Sequence, residues 1–154
     1  MGHSLPDMPD LKITRRNLPH WMAEGVTYYV TFRLRQGSLS ADEIVLVLDH
    51  IKAGRQRFYR LTAAWVMPDH VHIVLAPSDG LSLSAVMKGI KGVSARKINS
   101  CRGTSGPIWQ DESWDRIVRD EDELHEKLNY MLLNSAKAGL TDDPWTYCGW
   151  FISE

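Results

Sequence analysis

His70 and His72 flank Val71 in the run HVHIVLA, whose alternation reads as a β-strand. Strand side chains alternate with a period of two, so both imidazoles leave the same face of the sheet. Imidazole is the commonest protein metal ligand, and a pair one strand repeat apart holds a cation when a third group arrives from elsewhere. Such a pair serves equally well as two histidines packed in an ordinary sheet. Tyr130 and Asn134 stand four residues apart in a segment of helical periodicity, which puts them on one helix face about a turn from each other. An amide oxygen such as that of Asn134 suits a hard divalent ion like Mg²⁺, and such an ion also favours a bound phosphate. A tyrosine on an amphipathic helix is ordinarily core. Beside a metal it becomes a candidate nucleophile: a phenol, with a reference pKa of about 10, attacks poorly at neutral pH but leaves far better than an alkoxide, so its attack on phosphorus is reversible.

The elements that must position these residues follow from periodicity and caps. Residues 1–26 hold three prolines and the basic residues Lys12, Arg15 and Arg16 without a sustained period, and they read as an arm. Residues 27–34 (TYYVTFRL) are β-branched and aromatic, as a strand requires. Ser40 caps a helix whose apolar residues Ile44, Leu48 and Ile51 recur up to about Phe58. Strands over residues 60–67 and 70–76 are separated by Pro68-Asp69, which makes them a hairpin. After Gly80 a helix runs to about Asn99, with Leu83, Val86, Ile90 and Val93 on one face and Lys88, Lys91, Arg96 and Lys97 on the other. Residues 100–110 read as a loop, and residues 114–118 as a short fourth strand. Asp120 and Glu123 then have the spacing of a capping box for a third helix that ends near Gly139. The order βαββαβ describes an α+β, ferredoxin-like antiparallel sheet with its two helices on one face, to which the third helix is an addition. Residues 27–140 form the domain, and residues 141–154 a tail packed on it.

At 154 residues and 44% apolar content, the chain is sized for one compact domain. The net charge of −1 speaks against a polyanionic partner, but its distribution does not. Residues 1–110 carry 14 Lys and Arg against 8 Asp and Glu, whereas residues 111–154 carry 4 against 11. That asymmetry fits a polyanion-binding body or a solvated acidic tail. Cys101 and Cys148 lie far apart with no C-x-x-C partner, so neither a zinc knuckle nor a disulfide framework is indicated. Without a long apolar run or a signal-like N-terminus, a cytoplasmic protein with no membrane contact is expected.

The run Trp65-Val66-Met67-Pro68-Asp69-His70-Val71-His72 resembles the HUH signature of bacterial insertion-sequence transposases and of the REP-associated tyrosine transposases, and residues 128–134 (LNYMLLN) resemble their catalytic helix. The segments Arg16-Asn17-Leu18-Pro19-His20-Trp21, Tyr29-Val30-Thr31-Phe32-Arg33-Leu34, Lys88-Gly89-Ile90-Lys91-Gly92, Ile108-Trp109-Gln110, Asp115-Arg116-Ile117 and Lys137-Ala138-Gly139-Leu140 are similar to the REP-associated branch in the same order. Together they cover most of residues 15–141. The resemblance implies a metal-dependent single-stranded DNA endonuclease and strand transferase of the HUH kind. His70, His72 and Asn134 would be its metal ligands and Tyr130 its nucleophile. It further implies attack on a scissile phosphate that leaves a 5′-phosphotyrosine and a free 3′-hydroxyl, with Mg²⁺ or Mn²⁺ as the ion. Ser135 stands where that family commonly carries proline.

The implied partner is single-stranded or hairpin DNA of the palindromic-repeat type. Arg15, Arg16, Lys88, Lys91, Arg96, Lys97 and Lys137 are the candidate phosphate contacts, although each also serves as part of a solvated surface. A monomer is favoured, with a dimer sharing sites as the alternative. Two other readings stand beside this one: a domesticated, non-catalytic protein that grips hairpin DNA or RNA on its sheet, and a metal-dependent phosphodiesterase that uses activated water.

Overall fold

The computed structural model describes residues 25–153. Arg15 and Arg16, with nearly all of the expected arm, lie outside the described residues. The elements are β1 (Tyr28–Leu34), α1 (Ala41–Ala53), β2 (Tyr59–Val66), β3 (His70–Pro77), α2 (Leu83–Arg102), β4 (Trp109–Ile117), α3 (Glu121–Lys137), a 3₁₀ turn (Pro144–Thr146) and β5 (Trp150–Ile152). The strands form one sheet in the order β4-β1-β3-β2-β5, with every pairing antiparallel. This is the α+β βαββαβ arrangement with a C-terminal helix, extended by a fifth strand.

Both faces of the sheet are covered. Val30 and Phe32 of β1, Val71, Ile73 and Leu75 of β3, and Val66 of β2 pack with Ile44, Val47 and Ile51 of α1 and with Val86, Ile90 and Ile98 of α2. On the other face, Ala63 and Trp65 of β2, Met67 just beyond it and Val74 of β3 pack with Leu124, Leu128, Met131 and Leu132 of α3. The two central strands are therefore buried on both sides, which is why β2 and β3 read as nearly continuous apolar runs. Among the described residues, no helix is long and apolar enough to cross a membrane.

The boundaries differ from the sequence expectation at four places: α2 continues to Arg102, three residues into the expected loop, and the other three have identifiable contacts behind them. The first helix stops at Ala53 instead of running on to Phe58, because Gly54 ends it under the ring of Tyr59, where any Cβ would collide. The Tyr59 hydroxyl donates to the Ile51 carbonyl at 2.6 Å, satisfying one of the free helix-end acceptors. Strand β4 starts at Trp109, within the expected loop, anchored by a buried hydrogen bond from the Trp109 indole N–H to Ser94 Oγ at 2.9 Å. The tail contributes β5, three residues long and so too short to show a period, which pairs with β2 through Ala63, Ala64 and Trp65.

Caps fall where the side-chain chemistry puts them. Ser40 Oγ accepts from Glu43 N at 3.2 Å while Glu43 Oε1 accepts from Ser40 N at 2.8 Å, a complete capping box. At α3, Asp120 Oδ1 accepts from Glu123 N at 2.8 Å, but the Glu123 carboxylate turns to Arg119 N and Arg116 instead of closing the box. Gly139 takes the left-handed conformation, φ 76°, just past the end of α3.

Glu43 also ties α1 to the end of α2. Its two carboxylate oxygens accept from Arg102 Nε at 2.7 Å and from Arg102 Nη2 at 3.0 Å, and this pairing holds its pKa down at about 2 against an ordinary 4.5. A depressed carboxylate contributes stability that is complete above its ordinary pKa and is lost as the pH falls through the folded value. Glu43→Gln keeps an acceptor for the Ser40 amide and removes only the charge. It is expected to cost about 1 kcal/mol at neutral pH, as a partly exposed pair does. Thermal unfolding in acid near pH 2 should show most of that difference gone, because the Glu43 carboxylate of the folded protein takes up its proton at about that pH.

Candidate active site

Parity on β3 sends Val71, Ile73 and Leu75 toward α1 and α2, and His70, His72 and Val74 toward α3. The same rule on β1 turns Tyr29, Thr31 and Arg33 toward α3, because Tyr29 pairs with Val74, Thr31 with His72 and Arg33 with His70. The His70 and His72 rings meet edge to face with centroids 4.7 Å apart. From α3, the Tyr130 ring approaches His72 edge to face at 6.3 Å while remaining 53% exposed.

Each histidine is oriented through Nδ1. His70 Nδ1 lies 2.7 Å from Asp69 Oδ1, and His72 Nδ1 lies 2.9 Å from the Tyr29 hydroxyl and 3.0 Å from Thr31 Oγ1. His72 Nε2 is buried with no hydrogen-bond partner among the described residues. An orphaned buried ring nitrogen costs stability unless a ligand uses it. Burial above all, then the neighbouring His70, Arg33 and Lys127, pushes the His72 pKa down to about 3. The ring is therefore neutral near pH 7 and has a lone pair to offer, the state in which imidazole binds a metal. Anchoring a ligand histidine through its other nitrogen is the arrangement that fixes tautomer and ring orientation in metal sites.

The fit to a divalent ion thus rests on two imidazoles. Among the described residues, no group of three or more His, Cys, Asp and Glu side chains is placed to hold a metal, so a third protein donor must be of another type. Asn134 is half-buried on α3, and its side-chain amide makes no hydrogen bond to the described protein. Lys127, Tyr130 and Asn134 follow one helical stripe. Lys127 Nζ lies 5.0 Å from the centre of the Tyr29 ring and Tyr130 lies by His72, so the stripe advances along β1 in the direction of Arg33 and His70. Its next turn carries Asn134 that way. Where the related pattern has proline, Ser135 is buried and its hydroxyl donates to the Leu132 carbonyl at 3.3 Å, and α3 continues to Lys137.

The candidate phosphate contacts are dispersed. Lys88, Arg96 and Lys97 are exposed on α2, across the sheet from the histidines. Lys91 is on the same helix but is turned to β4: its ammonium donates to the carbonyls of Gln110 at 2.8 Å and Asp111 at 3.2 Å and to Ser113 Oγ at 3.1 Å. Burial lowers its pKa. Lys91 therefore serves as a tie between helix and strand. Lys137 is exposed at the last residue of α3, where a cation also favours the helix dipole. Two cations outside the expected phosphate contacts, Arg33 and Lys127, stand at the histidine pair, as do its orienting groups Tyr29, Thr31 and Asp69. The β1–β3 register brings in Tyr29, Thr31 and Arg33, about 40 positions from His72 in the chain, and the packing of α3 brings in Lys127, 55 positions away; Asp69 is the chain neighbour of His70.

Comparison with known proteins gives concordant results. Residues 38–117 match a family model described as transposase, IS200-like; the matched range ends before α3, so Tyr130 and Asn134 lie beyond it. The fold is similar to that of a REP-associated tyrosine transposase bound to a REP hairpin, at 20% identity over 84% of this chain and 79% of that one, with a TM-score of 0.62. It is also similar to a candidate transposase from Deinococcus radiodurans R1, at 20% identity over 73% of this chain and 94% of that one, with a TM-score of 0.50. No curated protein matches the sequence.

Proposed function

Because this chain belongs to the IS200-like transposase family, we propose that it cuts and rejoins single-stranded DNA with Tyr130 as the nucleophile, beside a divalent ion held by His70, His72 and Asn134. One observation carries the reading: an exposed tyrosine ring lies 6.3 Å from the ring of a histidine whose buried Nε2 has no partner among the described residues. The hydroxyl of Tyr130 attacks the scissile phosphorus in line with the 3′ oxygen. The new bond joins phosphorus to the phenolic oxygen, the bond to the 3′ oxygen breaks, the phenol proton passes to solvent, and the 3′ oxygen takes one up. The products are a 5′-phosphotyrosine and a free 3′-hydroxyl. The reverse step rejoins the strand, since a phenolate leaves readily.

His70, His72 and Asn134 would hold Mg²⁺ or Mn²⁺, which would supply charge neutralisation at a non-bridging phosphate oxygen. Asp69, Tyr29 and Thr31 keep the imidazoles aimed. Arg33 and Lys127 add positive charge on the same face, where the DNA backbone passes the tyrosine. The preferred substrate is a hairpin with an adjoining single strand, a choice supported by the hairpin-bound relative of the same fold. The protein works on it as a monomer.

The test is incubation of labelled single-stranded hairpin oligonucleotides with the protein and Mg²⁺ or Mn²⁺. A protein–DNA adduct that survives SDS supports the reading. Cleavage without adduct would indicate a water-using phosphodiesterase, and binding without cleavage a non-catalytic hairpin-binding protein. Lys127→Ala is expected to weaken binding of the same oligonucleotides about three- to tenfold and to lower the slope of log K against log salt by about one. Fluorescence anisotropy across a salt series measures both.

A further inference from the structure

Trp114 is 53% exposed in the edge strand β4. A lone exposed apolar side chain is ordinary in a folded protein, but the place of this one is not. Trp114 pairs with Thr31 across the β4–β1 ladder, and Arg116 pairs with Tyr29. Directly opposed residues share a face. The face is the one toward α3, because Arg116 Nη2 reaches Glu123 Oε2 of α3 at 2.5 Å. Ser113 has the other parity and meets Lys91 of α2.

Thr31 in turn pairs with His72 and touches its Nδ1. One lateral row across the sheet therefore runs Trp114, Thr31, His72, Trp65, Trp150. Two of its three indoles are spoken for: Trp65 is fully buried and stacks on Trp150 with ring centroids 5.8 Å apart. Trp114 is the one left open. With neighbouring strands about 4.8 Å apart, its Cα stands about 10 Å from that of His72. Tyr130 is exposed on the same face, and the cations Arg33 and Lys127 flank the histidines there.

We propose that Trp114 is a stacking platform for a nucleobase next to the scissile phosphate of single-stranded DNA. The inference rests on the reading of the histidine–tyrosine site given above. A strand whose phosphate is drawn to the Arg33 and Lys127 side can turn one neighbouring base outward over the β4 edge, where the indole offers a flat apolar surface. Every base has a π-face, so such a platform recognises the presence of a base more than its identity. Trp114 is a positioning residue: it holds the strand in register while Tyr130 reacts.

The test uses the full chain carrying Tyr130→Phe, so that binding is measured without cleavage. The probe is a fluorescent hairpin with a single-stranded oligothymidylate extension. Trp114→Ala and Trp114→Leu are each expected to weaken binding about tenfold, within the roughly 5- to 150-fold span of base–aromatic stacking. Trp114→Phe should stay within about threefold of the parent, and all three should melt with the parent, the side chain being largely outside the core. In an abasic scan of the extension, one position should weaken binding to the Trp114 protein and have no further effect on Trp114→Ala.

Equal affinity of the Ala, Leu and parent proteins, or the lack of any coupled abasic position, overturns the platform. So does a concentration-dependent dimer that dissociates in Trp114→Ala without base dependence. A parallel incubation of protein with native Tyr130 and a pool of hairpins with randomised extensions separates the two levels. An SDS-stable adduct there, with no Trp114 effect, refutes the platform and leaves the cleavage reading standing. No binding and no adduct refutes both.

Discussion

Tyr130→Phe is expected to abolish the covalent protein–DNA adduct, lowering strand cleavage at least about 1000-fold, while the fold is kept. The hydroxyl makes no hydrogen bond to the described protein and the ring is 53% exposed, so removing one oxygen costs the core nothing. Surface changes of this kind usually shift stability by no more than about 0.5 kcal/mol. Labelled oligonucleotide on a denaturing gel reads the adduct, and thermal unfolding checks the fold. Tyr29→Phe provides the contrast. Its phenol is half-buried, engaged with His72 Nδ1 at 2.9 Å, and its pKa is raised by burial, all of which suit it to orienting the histidine and not to attacking phosphorus. The Tyr29→Phe protein should still form adduct, at a reduced rate. Adduct persisting in Tyr130→Phe and lost in Tyr29→Phe would reverse the two roles.

His70→Ala is expected to remove divalent-ion affinity and cleavage together. Loss of a group that merely orients a ligand costs roughly 10- to 100-fold in affinity, so loss of the ligand itself should exceed about 100-fold. His70 lies at the start of β3 beside the hairpin turn and is not fully buried, which makes its truncation milder for the fold than that of His72. Truncating His72 would also strand the hydroxyls of Tyr29 and Thr31. Titration calorimetry with Mn²⁺, alongside the cleavage assay, measures the effect. Unchanged ion affinity in a folded His70→Ala protein would contradict the assignment. Asp69→Asn should fall between the parent and His70→Ala, since it weakens only the acceptor that orients the His70 ring.

Much of this was legible in the sequence because it depends on local periodicity. Alternation in HVHIVLA is enough to put His70 and His72 on one face, and the spacing of Tyr130 and Asn134 is enough to put them on one stripe of a helix. The caps at Ser40 and Asp120 and the left-handed Gly139 are likewise local chemistry, and each stands where its residue type predicts. Lys91 shows the limit of this kind of reading. A lysine on a polar helix face reads as a phosphate contact, and nothing nearby in the chain reveals that its ammonium is bound to β4 carbonyls about 20 residues away. The strand β5 escaped for a related reason: three residues carry no period, and only the open edge of β2 makes them a strand.

The chain by itself determined the elements from β1 to α3 apart from some of their ends, the parity of the paired histidines and the helical stripe of α3, because these follow from backbone geometry repeated every two or 3.6 residues. Which face of the sheet α3 covers was decided only in three dimensions, by the burial of Leu124, Leu128, Met131 and Leu132 against Ala63, Trp65 and Val74. That packing delivers Tyr130 to His72. Strand register did the rest, setting Tyr29, Thr31, Arg33 and Trp114 beside histidines about 40 residues distant from them in either direction. Long-range pairings of this sort are selected by the summed burial of whole faces, and no short stretch of sequence contains that sum.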